Sequence, residues 1–404
     1  MTKLFPKVSY SSGRIGSWLM MLFGFTLPLS VAVNNIFAGL IVLLWLFRHS
    51  FGDTWRLVKH SRVVQAVLFF YLLHFIGMLW TEDISWGLHM IKKEWALLLL
   101  PIMMTLVKRE DIRYYISAFL IAMGISVLFS YLVWFEIIPP FLKATVENPT
   151  PFISHLSYNP FLAFAVYLTG YYILFDQTLS REKKVFFALF FLGMSINMFI
   201  TIGRTGQIGY MVMLTLLFFQ RYHFNFKSML YASTAIIAIL VMAYSFSPVF
   251  QERAELIRHD IREFEKQKNS SIGLRVNFAI NSFEIIKENP LIGVGTGDFK
   301  QSYEVVNKRN SPEAFTTTQP HNMYILETVQ FGILGILALV AIFYFQIRFA
   351  LKSQDILQQK AGMALAVLFL IIMLGDSYLL GHLTTMLFIY FSSFLYRPFD
   401  ETDH

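Results

Sequence analysis

The sequence predicts an all-α polytopic membrane protein with about twelve transmembrane helices, and three observations carry that expectation. Of the 404 residues, 56% are hydrophobic and only 15% charged, against about 25% charged in a soluble domain. Aromatic residues make up 17%, with 42 phenylalanines. Apolar runs recur from end to end, each near the roughly 20 residues a helix needs to cross a bilayer. Backbone groups in lipid must find partners within their own segment, so such runs read as helices.

The expected spans are roughly 16–30, 34–47, 62–80, 88–107, 113–136, 159–175, 184–202, 205–220, 228–247, 322–348, 361–379 and 381–396. Residues 17–47 form one apolar stretch, and Pro28 with the pair Asn34-Asn35 favours a re-entry over a single overlong helix. No small-residue cleavage site follows the first span, so it does not read as a cleaved signal peptide.

Lys and Arg set the orientation. With the N-terminus in the cytoplasm, the inside segments hold Lys3, Lys7, Arg14, Arg48, Arg56, Lys59, Arg62, Lys108, Arg109, Arg113, Arg181, Lys183, Lys184, Arg221, Lys227, Arg348, Lys352, Lys360 and Arg397. The short outside loops hold only Lys143 and Arg204, and TEDIS (81–85) is acidic. The C-terminus then also lies in the cytoplasm. The formal charge of +7 is therefore mostly a topology signal and offers nothing for nucleic acid. The absence of cysteine excludes disulfides and thiol chemistry. No internal repeat or soluble appendage is visible, so residues 1–404 read as one integral membrane domain.

Within it, residues 248–320 form a long outside loop with ten basic and ten acidic residues. Long translocated segments are exempt from the positive-inside count. In ERAELIRHDIREFEKQK (252–268), Ala254, Ile257, Ile261 and Phe264 form the stripe of an amphipathic helix, lying on the membrane surface or over the bundle. In SSIGLRVNFAINSFEIIKENP, Ser270 or Ser271 caps a helix with Val276, Ile280 and Phe283 on one face, and Pro290 stops it. Arg275 sits in its first turns, where the helix dipole disfavours a cation. NPLIGVGTGDF follows, with Gly293, Gly295 and Gly297 alternating. The dinucleotide fingerprint is GxGxxG between a strand and a helix. This run follows a helix, so it reads as a tight turn that lets backbone approach another element.

Charges at membrane depth are costly and make functional candidates. Arg204 lies in FITIGRTGQIGY, among Gly203, Gly206 and Gly209. It either anchors a helix end or pairs with an acid, or it offers its guanidinium fork to a phosphate. Asp376, in MLGDSYLLGHL, could orient a histidine, pair with an arginine or bind a sugar hydroxyl. Lys92, Lys93 and Glu94 fall in one span and could neutralise one another, and Glu327 follows His321 by six residues. His321 stands at the mouth of the tenth span, behind Gln319 and Pro320. Alone it reads as a hydrogen-bonded structural residue. Arg204, Arg275, His321 and Asp376, however, all map to the outside face from four segments. Two cations can hold a diphosphate while an imidazole takes a proton from an attacking hydroxyl. His321 has no partner at the spacing of helical metal motifs, so no metal ligand set is expected around it. No Gly-x-Ser-x-Gly elbow marks a hydrolase.

Arg204 after TIG, Arg275 in the large loop, NPLIGVGTGDF and then PHNMYILETVQFGILG resemble the O-antigen ligase family. Its wider superfamily includes O-antigen polymerases and pilin oligosaccharyltransferases. The motifs cover roughly residues 200–382; the first half matches in helix number and hydropathy alone. The resemblance implies a GT-C-type glycosyltransferase of the bacterial inner membrane with a periplasmic active site. Such ligases move a glycan from undecaprenyl diphosphate to a sugar hydroxyl of lipid A–core, with inversion and with no metal or other cofactor. By position, Arg204 and Arg275 would bind the diphosphate and His321 would be the general base. Asp376 and Asn322, the latter within PHNxY, would join the substrate-binding set. A polymerase joining repeat units is the alternative on the same fold. A protein-glycosylating member would often carry a C-terminal extension, which a chain closing on DETDH does not suggest. A transporter predicts repeat symmetry and broken helices near mid-membrane.

Overall fold

The computed structural model describes residues 11–262 and 269–399, and these residues are mostly helical, with no strand among them. Seventeen α-helices occur in this part of the chain. The first seven are α1 (Ser11–Thr26), α2 (Val31–Phe47), α3 (Phe51–His60), α4 (Arg62–Gly77), α5 (Ile84–Lys93), α6 (Leu99–Leu106) and α7 (Ile112–Trp134). Four more, α8 (His155–Phe175), α9 (Arg181–Ile200), α10 (Arg204–Tyr222) and α11 (Phe226–Phe246), complete the bundle's middle portion. The long loop holds α12 (Pro248–Arg262), α13 (Ser271–Glu288) and α14 (Phe299–Asn310). The chain then returns through α15 (Met323–Lys352), α16 (Ile356–Ile372) and α17 (His382–Leu395).

Five of these helices, some with an adjoining 3-10 turn, are long and apolar enough to cross a membrane, and α2 with α3 makes a sixth if that pair, bent by 104°, is one span. α16, α17 and the segment Trp95–Leu106 are apolar but shorter. The protein is therefore a membrane protein. Every expected span contains helix, but two are interrupted. The stretch 88–107 is not one helix: α5 stops at Lys93, and a 3-10 turn precedes α6. α15 is broken at Gly332, whose φ of 59° and ψ of −142° leave helical geometry.

Centre and periphery follow from which helices are apolar all round. In α8 every residue from Tyr158 to Tyr172 is buried, as is every residue of α17 after His382. α11 buries only Ser228, Ala232 and Ala243, so its apolar surface is directed outward. α1 and α2 are separate helices, joined through the Pro28 loop and capped at Ser30. The fully buried Asn34 ties them together by donating to the Phe23 carbonyl at 2.9 Å.

In the long loop, α12 covers Ala254, Ile257 and Ile261, whereas Phe264 lies outside the described residues, as do Lys3 and Lys7. Ser270 is the cap of α13, accepting from Gly273 at 3.1 Å, and the helix stops before Pro290. The face that carries Ile280 and Phe283 is not the covered one. Ile280 and Phe283 are each 54% exposed, while Asn277, Phe278, Asn281, Ser282 and Ile285 are buried. The buried face is a polar network: Asn277 and Asn281 donate to Tyr303 and Asn307 of α14, and Ser311 donates to Asn277. Apolar spacing identifies a stripe but not its neighbour, and here side-chain amides make the contact.

NPLIGVGTGDF docks on the break in α15. Val294 and Gly295 donate backbone N–H groups to Val329 and Gln330 at 2.9 Å each, and Ile333 donates to Pro290 at 2.9 Å. Gly293, Gly295, Gly297 and Gly332 all have positive φ. A Cβ on Gly293 would lie 2.3 Å from the Gln330 carbonyl carbon. This is the close backbone approach that the alternating glycines predict. Gly293→Ala combines left-handed strain with a backbone clash. It is expected to destabilise the detergent-solubilised protein by at least about 2 kcal/mol, read from thermal melting. Unchanged melting would contradict this docking.

Candidate active site

The first wall of the site comes from two helices packed unusually closely. A Cβ on Gly203 would lie 2.4 Å from the Asn159 amide nitrogen, and one on Gly206 would lie 2.3 Å from the Asn159 Cβ. Small residues here let α8 and α10 touch. Asn159 accepts from Thr201 at 3.0 Å and donates to the Gly203 carbonyl at 3.2 Å. Gln207 donates back to the Met198 and Thr201 carbonyls at 3.2 and 3.1 Å. These bonds hold the 201–203 connection and place Arg204 as the first residue of α10.

Arg204 and Arg275 line one cavity of about 130 Å³, together with His155, Thr205 and Tyr378. Arg275 is exposed and reaches it from α13. Two guanidinium groups from different segments thus meet one small space, a geometry suited to a phosphate-bearing ligand. Tyr378 borders it, with its hydroxyl against Thr205 and in the fields of Asp376 and Arg275.

The second wall is the linker between α16 and α17, stitched to the start of α15. Met323 donates its N–H to the Met373 carbonyl at 2.9 Å, and the Tyr324 hydroxyl to Leu370 at 2.7 Å. Asn322 caps α15 by accepting from Ile325 at 3.1 Å, and its amide donates to Leu374 at 3.2 Å. Both ends of the Asn322 side chain are thus engaged by the fold, which gives it a positioning role. His321, immediately before it, has a positive φ of 51°. Such a conformation persists in a non-glycine residue only where surroundings hold it.

His321 Nδ1 lies 3.2 Å from Asp376 Oδ1, which also accepts from the Ser377 N–H at 2.8 Å. A carboxylate only accepts, so Nδ1 carries the proton and Nε2 is left with its lone pair. The His321 side chain is 35% exposed and that of Asp376 16%, so the imidazole remains accessible while its orienting carboxylate is mostly covered. Phe278 stacks on the imidazole with ring centroids 6.0 Å apart. It lies three residues beyond Arg275, so α13 supplies both a cation and this ring.

A second cavity, of about 270 Å³, is lined by Asp376, Gln319, Lys93, Ser154 and Ser157 and shares Leu156 and Tyr378 with the first. The structure therefore gathers Arg204, Arg275, Asp376 and, through its bond to Asp376, His321 at the loop-bearing end of the bundle. It does not gather Glu327, which is buried inside the bundle. Nor do Lys92, Lys93 and Glu94 neutralise one another. Both lysines are exposed, whereas Glu94 turns inward to His74. The break after Lys93 rotates Glu94 away from them. His155, Phe278 and Tyr378 had not been singled out from sequence; the i, i+3 spacing from Arg275 to Phe278 was the one available signal. A further cavity, about 620 Å³ and lined by Arg62, Arg348 and Lys352, lies at the far end of α15 from His321.

Residues 189–340 match the family model for O-antigen ligase, a stretch that holds Arg204, Arg275 and His321. Over this stretch the chain is similar to the O-antigen ligase family. The family implies a glycosyltransferase-type ligase or polymerase activity, with lipid-linked glycan and lipid acceptor as substrates in general. A Haemophilus influenzae protein described as uncharacterized is 23% identical over 311 residues, covering 73% of this chain and 74% of that relative.

Capping by Asn322 can be separated from contact with substrate. Asn322→Ala is expected to cost about 1 kcal/mol of stability, read by thermal melting, and Asn322→Ser to recover most of it. A serine variant that melts normally yet transfers no glycan would instead place the Asn322 side chain on substrate.

Proposed function

We propose that this protein is an O-antigen ligase that transfers a glycan from undecaprenyl diphosphate to a sugar hydroxyl of lipid A–core. The observation that carries the reading is the His321–Asp376 pair beside a cavity lined by Arg204 and Arg275. His321 Nε2 takes the proton of the acceptor hydroxyl as its oxygen attacks the anomeric carbon of the donor. The bond from that carbon to the phosphate oxygen breaks, and attack from the opposite face inverts the centre. The diphosphate leaves with the bond's electron pair, and the Arg204 and Arg275 guanidinium groups stabilise its charge. The proton on His321 passes to solvent or to the departing diphosphate. Asp376 keeps Nδ1 protonated and stabilises the imidazolium that forms. An arginine-stabilised diphosphate is a good leaving group, so the reaction needs neither a metal nor a separate acid.

The charge pattern supports an inner-membrane location with both termini cytoplasmic and the site facing the periplasm. There, translocated donor and acceptor would meet at the loop 248–320. The breaks at Glu94 and Gly332 are features a transporter would also have. The family match, with the cations and the base at one end of the bundle, weighs for transfer. A GT-C assignment agrees with the many helices and large outside loop.

Three outcomes test the reading. Arg204→Ala, Arg275→Ala and His321→Ala are each expected to abolish transfer while inserting normally, measured by lipopolysaccharide gels and membrane immunoblots. Full activity in His321→Ala would remove the general-base role. Asp376→Asn is expected to lower turnover roughly 10²–10⁴-fold, with a smaller effect on donor binding. Deleting the gene in its host is expected to leave lipid A–core without O-chain and long polymer on its lipid carrier. Core capped by a single repeat would identify a polymerase using the same site.

A further inference from the structure

One buried group of side chains has no part in the transfer chemistry. His74 of α4, Glu94 just after α5 and Glu327 in the first half of α15 meet inside the bundle with side chains 0% exposed. His74 Nδ1 lies 3.2 Å from Glu94 Oε2, and Nε2 lies 3.7 Å from Glu327 Oε2. One donor atom from each residue falls within 4.8 Å of the others. Yet both oxygens of Glu94, both oxygens of Glu327 and His74 Nε2 lack any hydrogen-bond partner. The Glu94 contact is close but lacks hydrogen-bond geometry.

The imidazole is oriented from outside the group. Its Nδ1 lies 3.1 Å from the Phe70 carbonyl, which only accepts, so Nδ1 carries the proton and Nε2 keeps its lone pair. Phe70 and Phe331 pack edge-on against the ring, and the Thr296 hydroxyl donates to the His74 carbonyl at 2.6 Å. A histidine held through Nδ1–H by a carbonyl, with Nε2 free, is the usual arrangement of a metal ligand. Two buried carboxylates without donors are costly, and buried charges are normally paired or coordinate a metal.

We propose that His74, Glu94 and Glu327 bind one divalent transition-metal ion, with zinc the best match. A neutral imidazole and two carboxylates carry a charge that a dication cancels. The imidazole disfavours magnesium and calcium, and the affinity order places zinc above manganese and ferrous iron. Ligand atoms of one zinc lie at most about 4.2 Å apart, twice the ~2.1 Å bond, so the three side chains would draw in from the 4.8 Å within which their donor atoms now lie. The ligands come from α4, the break after α5 and the half of α15 that begins beside His321. The ion would therefore cross-link three interrupted segments behind the candidate active site. It is a structural site, independent of the transferase reading.

The test uses the full-length protein in detergent, stripped with chelator, reloaded with Zn(II) and desalted, with Mn(II) as a second probe. Elemental analysis is expected to find a single zinc per chain, and X-ray absorption an all-nitrogen-and-oxygen shell that includes imidazole. Chelation should lower the melting temperature of the unsubstituted protein. Glu94→Gln and Glu327→Gln should each lose the ion and the response to chelator. His321→Ala should retain both, which separates failure here from failure of the general-base assignment. A reloaded wild-type protein that holds no zinc overturns the proposal, as does zinc retained undiminished in both glutamine variants. Should the variants not fold, a wild-type spectrum without imidazole overturns it on its own.

Discussion

Where α15 leaves helical geometry at Gly332, the carbonyl of Val329 loses its regular partner, because the Ile333 N–H points to Pro290 instead. Within an apolar bundle no water replaces it, and each orphaned backbone group costs heavily. The turn 290–297 supplies what is missing: Val294 and Gly295 donate to Val329 and Gln330, and Pro290 accepts from Ile333. Gln330 adds its side chain, accepting from the Gly297 N–H at 2.8 Å. The break and the turn are thus complementary, and neither is satisfied without the other.

That docking organises what surrounds it. The same turn reaches α4 through Thr296, and Asp298 accepts from the N–H groups of Glu82 and Asp83 at 2.7 and 3.0 Å. α13 ends two residues before the turn begins. The helix carrying Arg275 and Phe278 is therefore held at one end by the element that completes α15, whose first residues follow His321. A long polar loop would ordinarily be the mobile part of such a protein. Here it is anchored in the bundle by backbone bonds, as the proposed site, with a base and two cations in register, would require.

Polar contacts carry more of this architecture than its composition suggests. Asn159 fixes the connection before Arg204, Asn322 stitches α15 to the 373–376 linker, and Asn277 and Asn281 join α13 to α14. In an apolar interior an unpaired amide is expensive, so each of these has few alternative positions and specifies geometry that leucine packing leaves loose. The His74, Glu94 and Glu327 group follows the same logic, with the proposed cation in place of the missing donors.

Much of this was legible in the chain. Hydropathy runs placed helices at every expected span, Ser270 and Pro290 bounded α13, and alternating glycines announced a close backbone approach. The PHN and GDS motifs named His321 and Asp376 because their residue types are costly in such surroundings and so conspicuous. Local sequence carries these signals because turns, caps and apolar length are local properties. It did not carry the face that α13 buries, the turning of Glu94 away from Lys92 and Lys93, or the meeting of His74 with Glu94 and Glu327. Nor did it show that Phe278 and Tyr378 border the site. Those facts depend on which segments become neighbours in the folded bundle, and only tertiary packing decides them. The sequence by itself determined the kind of protein and its candidate reactive groups; the tertiary structure decided which of those groups face one another.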